Sequence, residues 1–184
     1  DVTNFVMMEL GQPLHAFDYR FLEEGRIVVR RSTEGEKFIS LDEKERVLNA
    51  NTLMICDGVK PVAIAGIMGG FNSEIKPDTR DILLESAYFA PSSIRRSARD
   101  LGMSTDAAFR FERGIDPEGV LRALDRAAQL IAELSGGKIC KGRIDEHPKP
   151  VETVGEIHLR CRKVNSLLGT NIPAAEMADI LRGL

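Results

Sequence analysis

The residues best suited to chemistry cluster in Ser104–Pro117, STDAAFRFERGIDP, where Thr105, Asp106, Arg110, Glu112 and Arg113 surround Ala107 and Ala108. These polar groups interrupt both the helical and the strand period, so packing alone does not account for the segment. A second candidate is His15 in Gly11-Gln-Pro-Leu-His-Ala-Phe-Asp18, which follows a cap glycine and a proline in an irregular stretch. Its imidazole either caps a helix end or exchanges a proton near a scissile bond. Glu85 is a third, set in Ile82-Leu-Leu-Glu-Ser-Ala-Tyr-Phe89, a run that reads as a buried strand. A carboxylate there needs a partner, because burying it alone is costly. Arg110 or Arg113 in a structural ion pair is the default, and a ligand hydroxyl is the other choice.

Gly66, Gly69 and Gly70 in AIAGIMGG lack the lysine and Ser/Thr of a P-loop and the spacing of a dinucleotide fingerprint. They fit close backbone approach to a ligand, or a strand bulge. Arg95, Arg96 and Arg99 at helical spacing fit a solvated face or a contact with a nucleic-acid backbone. No Ser, His and acid trio and no GxSxG elbow occurs, so any hydrolysis would use a positioned water. Cys56, Cys140 and Cys161 are three, far apart and without ligand spacing, which points to reduced thiols and to no bound metal.

The elements that must carry these residues read as follows. A helix over 2–10 ends at Gly11, and Asp18 caps a short helical turn. RIVVRR, KFISL, TLMICD, PVAIAG and DILLESAYF read as strands, with Asp57-Gly58 as a hairpin turn whose glycine supplies positive φ. Pro91 opens a helix that Gly102 ends, and Asp116-Pro117 opens a long helix with Val120, Leu121, Leu124, Ala127, Ala128, Ile131 and Leu134 on one face. Gly136-Gly137 stops it, and KICKGRID is expected to return to the sheet.

A proline-bearing linker over 147–155 precedes a second unit over 156–184, read as the strand EIHLRCRKV followed by two short helices. Both ends of the chain read as cuts through longer elements. With 184 residues, 43% hydrophobic, 29% charged and a net charge of −3, the composition is globular and argues against a long phosphate-gripping surface. No apolar run approaches the roughly 20 residues of a membrane helix, and a cytoplasmic location fits the thiols.

Taken in order, DVTNFVMMELGQPLHAFD, AIAGIMGG, LLESAYF and STDAAFRFERGIDP resemble the editing domain of the beta subunit of bacterial phenylalanine-tRNA ligase. The resemblance covers residues 1–146, and 156–184 resembles the truncated start of the next beta-subunit domain, a small helical DNA-binding-like fold. It implies an α+β fold with an antiparallel β-barrel or sandwich packed with helices. It implies hydrolysis of tyrosine wrongly esterified to phenylalanine tRNA, with the aminoacylated 3′ end, tyrosine, the rest of the beta subunit and the alpha subunit of a heterotetramer as partners. ATP and magnesium would act elsewhere in the ligase, with no cofactor in this segment. By resemblance Glu85 reads the tyrosine hydroxyl, Ala107 admits the ring, Thr105 lines the pocket, His15 and Asn4 lie near the ester and the terminal adenosine, and Gly66, Gly69 and Gly70 let backbone amides approach; His15, Asn4 and Thr105 are the catalytic candidates. Ala108 stands where the family commonly has serine. Two other readings stay open: a structural module of the subunit with a degenerate pocket, and a free-standing deacylase or amino-acid-binding domain.

Overall fold

The computed structural model describes residues 1–147 and 158–183. The chain divides into two compact units, Asp1–Glu146 and His147–Leu184.

The first unit is α+β, and its strands form three antiparallel sheets rather than one closed barrel. Helix α1 (Val2–Leu10) starts under Asp1, whose side chain accepts from the Asn4 amide, and stops at Gly11 with φ 74°. Strand β1 (Leu14–Asp18) follows at once, and Asp18 caps the single helical turn Tyr19–Phe21 by accepting from the Arg20 amide. A four-stranded sheet runs in the order β2 (Val28–Arg31), β5 (Leu53–Cys56), β6 (Pro61–Ile64), β7 (Met68–Gly69). Strands β3 (Lys37–Ile39) and β4 (Glu45–Val47) form a separate hairpin. The β5–β6 hairpin closes as expected but for another reason. Asp57 holds the turn by accepting from the amides of Val59 at 2.8 Å, Lys60 at 2.7 Å and Glu23 at 3.0 Å, and Gly58 keeps negative φ.

The third sheet positions the site. Strand β8 (Ile82–Ser86) pairs antiparallel with β1 in the register His15↔Glu85, Ala16↔Leu84, Phe17↔Leu83. Side chains alternate across a strand, so the ribbon has two distinct faces. Leu14 and Leu84 pack with α1 and with α4 (Gly119–Ser135) around buried Val6, Ala123 and Ala127. The small alanines at i, i+4 let α1 approach closely, and Arg126 ties α4 to Glu9 of α1 at 3.0 Å. Leu134, expected on the packed face, is exposed. The other face of the ribbon carries His15, Phe17, Leu83 and Glu85 toward the main core, in which Phe17 is wholly buried.

Helix α2 (Pro91–Asp100) begins with Pro91 and buries Ile94, Ser97 and Ala98, leaving Arg95, Arg96 and Arg99 outward. Helix α3 (Asp106–Phe111) occupies the polar segment that defied both periods. The long helix α4 starts at Gly119, not at Pro117; Asp116 instead holds the preceding turn by accepting from the Glu118 amide. KICKGRID does not rejoin a sheet: residues 138–145 form no strand. No described helix is long and apolar enough to cross a membrane.

In the second unit, α5 (Cys161–Leu168) and α6 (Ala174–Arg182) are the two short helices expected. Asn165 joins their connection by donating to the Ile172 carbonyl and accepting from the Ile172 amide, both at 2.9 Å. The expected strand over 156–164 is not there: residues 158–160 are irregular, α5 begins at Cys161, and 156–157 lie outside the described residues. Cys161, Val164 and Leu168 also satisfy a helical period, and the αL glycine Gly169 then ends the helix.

Candidate functional site

A cavity of about 270 Å³ opens between α1, the β1–β8 ribbon, the β6–β7 turn and the start of α3. Of the residues singled out from sequence, Asn4, His15, Gly66, Gly69, Glu85, Thr105 and Ala107 all line it. Gly70 does not. A Cβ there would press on the Val62 carbonyl at 2.6 Å and the Phe38 ring at 2.8 Å, so its bareness serves strand packing next to the Ser40 bridge. The wall that sequence reading missed is apolar: Met7, Leu41, Ile55, Ile64, Ile67, Met68 and Phe111. Helix α3 had a usable signal, since a threonine followed by aspartate in the first turn marks a helix start.

Thr105 is the cap of α3. Its hydroxyl donates to the Ile67 carbonyl at 2.8 Å and accepts from the Ala108 amide at 3.1 Å. That one side chain therefore fixes α3 to the β6–β7 turn and decides which alanine meets the cavity. Ala107 lines the cavity, whereas Ala108 is 2% exposed and belongs to the core. The position at which the family's serine is absent thus points away from the site.

Arg110 and Arg113 do not reach Glu85. Arg110 pairs with Asp106 at 3.2 Å, and Arg113 pairs with Glu112 and stacks 3.5 Å from the Phe109 ring centre. Arg95 donates to the Glu112 carbonyl at 2.7 Å, so these charges bind α2 to the end of α3. The ion pair expected at Glu85 is absent, and no lysine or arginine lines the cavity.

Two polar tips are enclosed without a hydrogen-bond partner, Glu85 Oε2 and His15 Nε2. They belong to one register pair of the ribbon and share its core-side face, where opposed Cβ atoms lie roughly 4.5–5.5 Å apart. His15 is therefore a strand residue, not part of an irregular stretch. Its ring stands edge-on to Phe17 with centroids 4.5 Å apart, and a Cβ at Gly69 would overlap it, coming within 2.8 Å of Nε2. Gly66, with φ 66°, turns the chain where a Cβ would meet the Phe89 ring at 2.8 Å. Asn4 stands at the exposed mouth with its amide donating to Asp1 at 3.2 Å.

Enclosure pushes the Glu85 carboxyl up from 4.5 to about 7 and pulls the His15 imidazole down from 6.5 to about 4, because each charged form is cut off from water. The folded chain holds the Glu85 proton after the unfolded chain has released it, so this group costs stability as pH rises from 4.5 to about 7. His15 acts oppositely, costing stability as pH falls from 6.5 to about 4. Glu85→Gln is accordingly expected to leave stability near pH 5 almost unchanged and to raise it at pH 8 by on the order of 2 kcal/mol. Urea denaturation of the chain at the two pH values measures this. An equal effect at both would show that the carboxylate is not stranded.

The chemistry of the cavity is a largely apolar, ring-sized space with an acceptor held free on its wall and an imidazole beside it in the same register pair. Comparison with known proteins finds the chain similar to synthetase subunits. The phenylalanine–tRNA ligase beta subunit of Geobacter metallireducens is 54% identical over 184 residues, that of Moorella thermoacetica 51% and that of Bacillus subtilis 45%, each over the whole chain. The chain spans 23% of the length of each of these relatives. Residues 1–136, which hold every part of the cavity, match the B3/4 domain, and the chain belongs to that family.

Proposed function

We propose that this chain forms the editing site of a phenylalanine-tRNA ligase, where tyrosine wrongly esterified to phenylalanine tRNA is hydrolysed. The observation that carries the reading is Glu85 Oε2, an acceptor left without a partner on the wall of a cavity of about 270 Å³. Phenylalanine and tyrosine differ by one hydroxyl, and an apolar pocket rejects an isostere with an added hydroxyl only weakly. A second site that must satisfy a buried acceptor rejects the analogue lacking the hydroxyl far better, by a factor reaching roughly 10⁴.

In this reading the tyrosine ring enters past Ala107 and its hydroxyl donates to Glu85. His15, in register with Glu85, lies toward the same end and serves recognition more than proton transfer; an imidazole with a pKa near 4 is a weak base at neutral pH. Water attacks the ester toward the Asn4 mouth, oriented by backbone amides and the ribose hydroxyl of the tRNA. The proposed partners are the aminoacylated tRNA end, the rest of the beta subunit and the alpha subunit in the cytoplasm, with ATP and magnesium used elsewhere in the ligase. A purely structural module would be favoured by a hydroxyl lost from the pocket at Ala108 or by an ion pair at Glu85, and neither applies: Ala108 is core and no cation lines the cavity at Glu85.

The test is deacylation by the whole alpha–beta ligase of phenylalanine tRNA charged with either amino acid. Tyrosyl ester should disappear at least about a hundredfold faster than phenylalanyl ester. Equal rates would reject the reading.

A further inference from the structure

We infer that the cavity selects a hydrogen-bond donor at the para position of the ring rather than a hydroxyl as such, so that 4-aminophenylalanine on the same tRNA is a substrate and 4-methylphenylalanine is not. This rests on the editing reading above and narrows what that site recognises.

The argument starts from what Glu85 lacks. Its Oε2 has no donor within the protein, and the cavity lining contains no arginine or lysine. Among the lining residues the other titratable groups are His15 and Asp106, and Asp106 is taken up by Arg110 at 3.2 Å with its side chain largely in solvent. Thr105 cannot turn to help, because its single proton is given to the Ile67 carbonyl. No protein group donates to this oxygen, so once an occupant displaces solvent the compensation must come from that occupant.

An ionised carboxylate only accepts hydrogen bonds, and it accepts from an aromatic N–H as well as from the stronger donor O–H. Amino, hydroxyl and methyl substituents are close in size, so the apolar wall and Ala107 admit all three. They differ in whether the acceptor is satisfied: the methyl group displaces water from Glu85 and returns nothing, which carries the desolvation penalty of an unpaired buried group. The amino group supplies two donors. Selection at this end is thus set by hydrogen-bond sense and not by the element that bears the proton.

The experiment uses the whole ligase and phenylalanine tRNA chemically acylated with tyrosine, 4-aminophenylalanine or 4-methylphenylalanine, with deacylation followed at pH 8, above the Glu85 titration near 7. The amino ester is expected within about tenfold of the tyrosyl rate and the methyl ester at least about a hundredfold below it. Glu85→Gln, which keeps a carbonyl acceptor and the side-chain shape, should preserve that order, whereas Glu85→Ala should bring the three rates together. If tyrosyl ester is cleaved and the amino ester is as stable as the methyl ester, the donor rule is overturned and the editing reading stands. Cleavage of the methyl ester at the tyrosyl rate also overturns it. If the tyrosyl ester itself survives, the editing reading has failed and takes this inference with it.

Discussion

Ala107→Trp in the intact ligase is expected to lower tyrosyl-tRNA deacylation by at least about a hundredfold while aminoacylation with phenylalanine continues unchanged. Ala107 stands one residue inside α3, whose start is fixed by the Thr105 hydroxyl between the Ile67 carbonyl and the Ala108 amide. Its methyl group forms part of the cavity wall, and a tryptophan in its place takes up a large share of a volume of only about 270 Å³. Even a displacement of about 1 Å from the reactive pose can cost roughly 10²-fold, and here the ring is excluded outright. Ala107 is half-buried at the edge of the hydrophobic cluster in which Ala108 is fully packed, and it lines the cavity, so the added bulk takes cavity space. Undiminished deacylation by a correctly assembled Ala107→Trp ligase would remove the cavity from the reaction.

The second large effect is a loss of discrimination with a gain of the wrong activity. Glu85→Ala should slow tyrosyl-tRNA deacylation and speed that of phenylalanyl-tRNA, driving a ratio of on the order of 10² or more toward one. Under the proposed function the unsubstituted ring is rejected because it leaves the enclosed Glu85 oxygen without a donor. With that oxygen gone, the larger objection to phenylalanine at this end of the cavity is removed, leaving His15 Nε2 as the remaining unpaired tip. Parallel single-turnover assays on the two esters read the outcome; a variant that loses tyrosine hydrolysis yet still spares phenylalanine would assign the discrimination to another group.

Sequence legibility followed the length and regularity of each element. α4 was visible because seventeen residues allow an apolar stripe to repeat, and β5–β6 because Asp57 punctuates two β-branched runs. Strands of two or three residues such as β4 and β7 give a period-2 pattern no room to show, and β1 hid behind Pro13. α3 was obscured by the polarity of its outer face, although its cap residues announced it. The candidate site was readable as a set of residues, with Gly70 the exception, because glycine serves close packing and ligand approach alike. What could not be read was pairing. That Glu85 has no cation depends on where Arg110 and Arg113 point, and that His15 faces Glu85 depends on a strand register between distant segments.

That register has a consequence for how the site comes into being. His15 and Glu85 sit on a two-stranded ribbon whose halves are separated in sequence by all the other described strands, so nothing local brings them together. Contacts of such long sequence separation carry a large loop-closure entropy and form slowly. A chain leaving the ribosome has α1 and β1 waiting unpaired until β8 emerges, and the α4 alanines that clamp the far side of the ribbon come later still. The facing of His15 and Glu85 is in that sense a last-assembled property of the unit, acquired when the helical layer closes over a ribbon that fixes, by a single shared register, which face lines the cavity and which is clamped.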